Sequence, residues 1–216
     1  MIHPPDYADA RELHQHQRNP SLDVFSRGWP DQASDTVCGW GSSEPHTQLV
    51  RKGLRTIIET YGVKTLNDAG CGDLAWMSTM DLDGVDYIGY DVHERATWPE
   101  LRRRGYRLEV VDITTAVLRP ADLLVCRDVF IHLPNDMVLP ALERFRGSCR
   151  YLLTTSYASD PTLEQGAFSN SARIAQPSLR HAKLDLSLPP FDLGQPLDLI
   201  PENSPNKYLG LWDLTR

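Results

Sequence analysis

No stretch of this 216-residue chain approaches the roughly 20 consecutive apolar residues that span a bilayer, which excludes a transmembrane helix. Its start, Met1 to Asp9, lacks a basic segment followed by an apolar one, so no export signal is expected. Basic charge is also scarce: 22 Lys and Arg stand against 29 Asp and Glu, a formal charge of −7. Binders of nucleic acid or anionic lipid usually carry a basic face, so neither partner is expected. Cysteine is sparse, and Cys38, Cys71, Cys126 and Cys149 form no CxxC pair, which removes the signal for a zinc site or a dense disulfide frame. Free thiols fit a reducing compartment, and a soluble cytoplasmic protein is the expectation. Internal repeats and low-complexity tracts are absent too, against a solenoid or a tail.

What is present is enough apolar material, 41% of residues, to bury one sizeable core. Residues Met1 to Asp35 are polar and broken by Pro4, Pro5, Pro20 and Pro30, which reads as an arm laid over a domain. We divide the chain into an N-terminal arm and covering segment, 1–44, and a domain, 45–216. From Pro45 to Tyr61 the positions Leu49, Val50, Leu54, Ile57 and Ile58 recur at helical spacing, with Gly62 placed as a C-terminal cap. Short apolar runs then alternate with helical stretches. Lys64–Ala69, Tyr87–Tyr90, Leu108–Val111, Asp122–Cys126 and Tyr151–Thr155 read as strands. Leu74–Met80, Glu94–Arg103 and Asp136–Phe145 read as helices, the last disturbed by Pro140. This alternation predicts an α/β, doubly wound parallel sheet whose carboxyl ends carry the ligand. Leu197–Ile200 and Lys207–Leu214 predict a terminal antiparallel hairpin, for seven strands in all.

The first strand runs into Asn67, Asp68, Ala69, Gly70, Cys71, Gly72 and Asp73, where two glycines permit a sharp turn and close approach to a ligand. With Ala75 the string satisfies the dinucleotide pattern GxGxxA, and Asp91 ends the second strand where a ribose-binding acid belongs. That much leaves NAD and S-adenosylmethionine both open. Asp68, two residues before Gly70, is a poor neighbour for a pyrophosphate and a good one for a sulfonium with its ammonium group. Asp112 and Ile113 end the third strand with an acceptor for an adenine amino group and an apolar surface for its ring. The terminal hairpin also departs from the usual dinucleotide domain. Each acid on its own reads equally well as a strand-end cap.

These residues resemble the class I S-adenosylmethionine-dependent methyltransferases over nearly the whole chain. Leu66 to Asp73 resembles motif I, Tyr90 to Val92 the acidic loop, Asp112 with Ile113 the adenine-contacting pair, and Cys126 to Pro134 the fourth-strand region. The narrower resemblance is to a bacterial subgroup. Its marks here are Gly41, Ser42 and Thr47; Cys71, Gly72, Asp73, Trp76 and Met77; Cys126, Arg127, Asp128, His132, Leu133 and Pro134; Pro189, Pro190 and Phe191; and Lys207, Gly210 and Trp212. The chain departs from the subgroup in carrying Gly70 where Pro is common. The resemblance implies a Rossmann-like seven-stranded fold and S-adenosyl-L-methionine as cofactor. It places Asp91 and Val92 at the ribose, Asp68, Gly70, Cys71 and Gly72 at the methionine part, Asp112 and Ile113 at adenine, and Arg127 beside them. Trp40, Gly41 and Trp76 would close the site from the N-terminal side, although both tryptophans read equally as core aromatics.

Methyl transfer is an in-line displacement that needs an aligned acceptor and, for a hydroxyl, a group to take its proton. Asp128 and His132 follow the fourth strand four residues apart, on one face if the segment is helical. His132 is the candidate general base and Asp128 its orienter or a substrate holder. Asp73, Asp128 and His132 leave room for a divalent metal such as Mg2+, though their spacing is not diagnostic. The stretch 156–190 stands where a substrate lid is common, with Tyr157, Arg173 and His181 as substrate contacts. The subgroup resemblance implies O-methylation of a sugar or oligosaccharide hydroxyl, as in a mycobacterial-type methylated polysaccharide. An NAD-dependent oxidoreductase and a noncatalytic cofactor-binding protein are the alternatives, and a homodimer stays open.

Overall fold

The structure, a computed structural model, describes residues 19–29, 33, 35–158 and 182–215. Seven strands form one sheet: β1 (Thr65–Ala69), β2 (Asp86–Asp91), β3 (Arg107–Val110), β4 (Ala121–Cys126), β5 (Cys149–Tyr157), β6 (Asp198–Pro201) and β7 (Lys207–Asp213). They lie in the order β3-β2-β1-β4-β5-β7-β6. The first five are parallel, and β7 is antiparallel to both β5 and β6. All seven predicted strands are present, with ends moved by one to two residues. The chain reverses its direction of travel between β1 and β4, so their carboxyl ends diverge around a crevice.

Burial on both faces explains why the central strands are nearly continuous apolar runs. Leu123 and Val125 pack beneath helix α1 (Gln48–Tyr61) and helix α2 (Trp98–Arg103), while Leu124 and Cys126 face helix α3 (Asn135–Ser148). In α1 the buried Val50, Leu54, Ile57 and Ile58 make one stripe, and Gly62 ends the helix in the left-handed conformation, as its position predicts. Helix α3 runs through Pro140 without a break.

Two predicted helices are changed. Leu74–Met80 gives only a 3-10 turn at Met77–Thr79, because Leu74 takes a positive φ of 58° that cannot propagate a helix. Glu94–Arg103 shortens to α2, whose first turn carries Pro99. The arm is not wholly peripheral, since Leu22 enters the core beside α3's residues. Of the proposed lid, 182–190 includes Leu184 and Leu186, buried on the same face. No helix among the described residues is long and apolar enough to cross a membrane.

Candidate active site

A cavity of about 660 Å³ opens at the carboxyl ends of the parallel strands, on the crevice between β1 and β4. Gly70 and Gly72 turn the chain there with φ of 87° and 58°. The turn is pinned to β2, because the amides of Gly70 and Cys71 both donate to the Tyr90 carbonyl, at 2.8 and 2.9 Å. Side chains are excluded on steric grounds as well: a Cβ on Gly70 would stand 2.2 Å from Val129 Cγ2, and one on Gly72 would stand 2.6 Å from Cys38 Sγ.

Three carboxylates surround this turn, each at a strand end. Asp68 is buried on β1 and accepts a 2.8 Å hydrogen bond from the Tyr87 hydroxyl. Burial, with the charge of Asp91 adding to it, pushes the Asp68 carboxyl up to about 7 against the pull of Tyr87 and Arg127. It is a carboxylate short of a cation. Asp91, ending β2, accepts from the Gly72 amide at 2.9 Å and the His93 amide at 3.1 Å, and pairs with Arg95 at 3.2 Å. Asp112, after β3, accepts from the Thr114 amide and hydroxyl on one oxygen and from the Asn19 amide, at 3.0 Å, on the other. Cys71, Val92, Ile113 and Trp76 also line the cavity, with Trp76 largely in the core and Trp40 56% exposed at its rim.

The groups contributed by β4, β5 and β7 are of a different kind. Asp128 has a positive φ of 55°, held by its amide donating to Thr155 Oγ1 at 2.8 Å. The Lys207 ammonium stands 2.8 Å from both Asp128 oxygens and 2.6 Å from Glu202 Oε2. Arg127 closes the ring, with Nε 2.6 Å from Glu202 Oε1 and Nη2 3.4 Å from Asp128, and the same Nη2 donates to the Gly41 carbonyl at 2.8 Å. The result is a neutral square of two acids and two bases. Burial opposes ionisation of Asp128, but Arg127 and then Lys207 hold its carboxyl well below the usual range. Asp128 is therefore too weak a base to take a proton, and suits holding a donor.

His132 ends the 3-10 turn Phe130–His132 and lines the cavity beside Tyr157. The expected shared helical face with Asp128 does not form, since Asp128 is left-handed and only a short turn follows. Instead the imidazole packs on Trp29, ring centroids 4.3 Å apart, with Phe25 at 6.3 Å. Arg173 and His181 lie outside the described residues.

The metal expectation does not fit. Asp73 spends its carboxylate on the Thr36 hydroxyl and the Val37 amide, both at 2.8 Å on one oxygen, and Asp128 is committed to Lys207. Among the described residues no three His, Cys, Asp or Glu side chains group as metal ligands.

Sequence reasoning missed Arg95, Trp29, Phe25 and Glu202. Arg95 stands four residues after the expected ribose acid, a spacing that could have pointed to it. Glu202 and Trp29 carry no local signal, because their partners lie far along the chain.

No family model and no curated protein matches the sequence. Solved structures do match the fold. Magnesium protoporphyrin IX methyltransferase (ChlM) from Synechocystis PCC 6803, with bound S-adenosylhomocysteine, aligns with a TM-score of 0.58 at 15% identity, over 94% of this chain and 97% of that one. The 1,6-didemethyltoxoflavin-N1-methyltransferase of Burkholderia thailandensis, also with S-adenosylhomocysteine, aligns at 0.57 and 15% identity, over 78% and 79%. The mitomycin 7-O-methyltransferase MmcR aligns at 0.54 and 17% identity, over 77% of this chain, which spans 54% of MmcR's length. TehB from Haemophilus influenzae is likewise spanned only over 61% of its length. Sheet order, terminal hairpin and these alignments agree: the chain has the fold of the S-adenosylmethionine-dependent methyltransferases.

Proposed function

We propose that the protein is an S-adenosylmethionine-dependent O-methyltransferase acting on a hydroxyl of a sugar or oligosaccharide, with His132 as general base. The observation that carries the cofactor assignment is the ring of Asp68, Asp91 and Asp112 around a glycine turn that no α-helix follows. A dinucleotide's pyrophosphate is bound by a helix N-terminus behind such a turn. Here residues 74–80 give none, and three carboxylates would repel the phosphates. The residues fit a cationic ligand: Asp68 for an ammonium, Asp91 for ribose hydroxyls, Asp112 and Ile113 for an adenine.

Bound there, the sulfonium supplies an electrophilic methyl group. The chain's own part is to align an acceptor, keep water out and move one proton. Trp29, Phe25 and Trp40 offer apolar faces. Asp128 and Lys207, with Ser204 on the same wall, offer acceptors and donors of no net charge. Apolar faces beside a neutral polar wall suit an uncharged, hydroxyl-bearing ring better than an acid or amine. His132 Nδ1 or Nε2 takes the hydroxyl proton as the oxygen gains its methyl group, and Asp128 holds a neighbouring hydroxyl. The work falls on the imidazole because Asp128 is held ionised by Arg127 and Lys207.

The test has two stages. S-adenosylhomocysteine should raise the melting temperature and NAD should not, since only a ligand of the native state stabilises it. Labelled S-adenosylmethionine with a panel of sugars, amines and acids should then mark a sugar. His132→Ala should lose turnover while keeping its affinity for S-adenosylhomocysteine. Stabilisation by NAD instead, or label on an amine, would replace this reading.

A further inference from the structure

Arg95 is a largely covered cation in the cavity wall that the methyl-transfer reading does not use. Its side chain is 10% exposed. Nη2 meets Asp91 Oδ1 at 3.2 Å, and Nη1 donates to the Phe25 carbonyl at 2.9 Å. Nε has no hydrogen-bond partner among the described residues. A dehydrated guanidinium costs free energy unless paired, so its two terminal contacts fix where it sits.

Those two contacts join the acid that ends β2 to the segment over the cavity. Asp91 is the acid expected at the ribose. Phe25 belongs to the segment Asn19–Trp29, which roofs the cavity and presses Trp29 on His132. The same segment touches the site at two more points: the Asn19 amide on Asp112, and the Leu22 carbonyl 3.1 Å from His93 Nε2. Its backbone is thus tied to the residues after β2 and β3.

We propose that Arg95 is a positioning residue which couples the cofactor site to the roof, so that one guanidinium orients Asp91 and seats Trp29 against His132. This rests on the cofactor reading given above. Coupling of this kind is reciprocal: what the roof does for the cofactor, the cofactor does for the roof. Arginine is required because its planar fork serves two acceptors at fixed directions, which a lysine ammonium does less well.

The test uses the full chain with S-adenosylhomocysteine as probe. Its affinity is measured by calorimetry in the wild type, Arg95→Lys and Arg95→Ala, and amide exchange of residues 20–29 is followed with and without it. In the wild type the ligand should slow exchange across the roof. Arg95→Ala should bind about tenfold more weakly or worse, the scale of a lost charged hydrogen bond, and its roof should exchange fast with or without ligand. Arg95→Lys, which keeps the charge and fold, should recover part of the affinity but not the protection of the roof. A roof indifferent to ligand in the wild type overturns the coupling even if the alanine variant does not fold. So does an Arg95→Ala protein that weakens binding without loosening the roof, or the reverse. A wild type that does not bind S-adenosylhomocysteine removes the methyltransferase reading itself, and the coupling with it.

Discussion

The Tyr87 hydroxyl donates a 2.8 Å hydrogen bond to Asp68, and among the described residues that is the one hydrogen-bond donor to this buried carboxylate on the floor of the cavity. It does not suffice to keep Asp68 ionised in the acid range: burial first, then the charge of Asp91, raises its carboxyl to about 7. An ordinary carboxylate titrates near 4, so between about pH 4 and 7 the native state keeps a proton that the unfolded chain releases. From this group, stability falls as pH rises through that window.

Ligand binding should run the opposite way. An ammonium pairs with the ionised form only, so affinity depends on the fraction of Asp68 that is ionised. Lowering the pH from 8 to 6 should weaken S-adenosylhomocysteine about tenfold, since the ionised fraction falls by about that much for a group titrating near 7. Asp68→Asn should weaken binding at pH 8 and flatten its pH dependence. Calorimetry at the two pH values decides it, and an affinity constant across the range in the wild type would remove Asp68 from the cofactor's contacts.

The sheet was legible because parallel strands buried on both faces must be apolar runs, and turn residues bound each of them. The acids at strand ends were legible for the same reason: they stand at fixed offsets from runs that can be seen. Leu74–Met80 misled because Leu74, Trp76, Met77 and Met80 have helical spacing yet pack into the core from an irregular turn. The residue that breaks the helix is Leu74, and its neighbour Asp73 is held by Thr36 and Val37, 36 to 37 positions away in sequence. Asp128 misled in the same manner, its left-handed backbone being held by Thr155 across to β5. The Arg127–Glu202 pair spans 75 residues, and no local pattern predicts such a contact.

The glycine turn makes a steric prediction. Gly72→Ala places an L side chain at φ 58°, which costs about 1–2 kcal/mol from backbone strain alone. Its Cβ would also stand 2.6 Å from Cys38 Sγ. The expected loss is therefore about 2 kcal/mol or more in urea unfolding, and adding Cys38→Ala should recover the steric part while leaving the strain. Equal stability of Gly72→Ala and the wild type would show that the turn relaxes at no cost.

The charged square predicts a loss that a second substitution repairs. Lys207 touches both Asp128 and Glu202, and the Glu202 side chain is only 3% exposed. Lys207→Met therefore leaves two acids to share Arg127, and breaking a buried pair from one side costs about 3 kcal/mol or more. The sign follows from charge: the square is neutral with four members and carries one excess negative charge with three. Lys207→Met with Glu202→Gln restores neutrality, leaving Arg127 to Asp128, and should regain at least half of the loss. Because the lysine also keeps the Asp128 carboxyl low, the stability that Asp128 contributes is complete above about pH 4 in the wild type and lost as pH falls below it. In Lys207→Met that acid loss should be smaller and should finish at higher pH, since without the ammonium the Asp128 carboxyl is held less far below its unfolded value. Urea midpoints at about pH 3 and 7 for the four combinations give both answers. A double variant no more stable than Lys207→Met would mean that packing around the lysine stem, not charge balance, holds β7 to the end of β4.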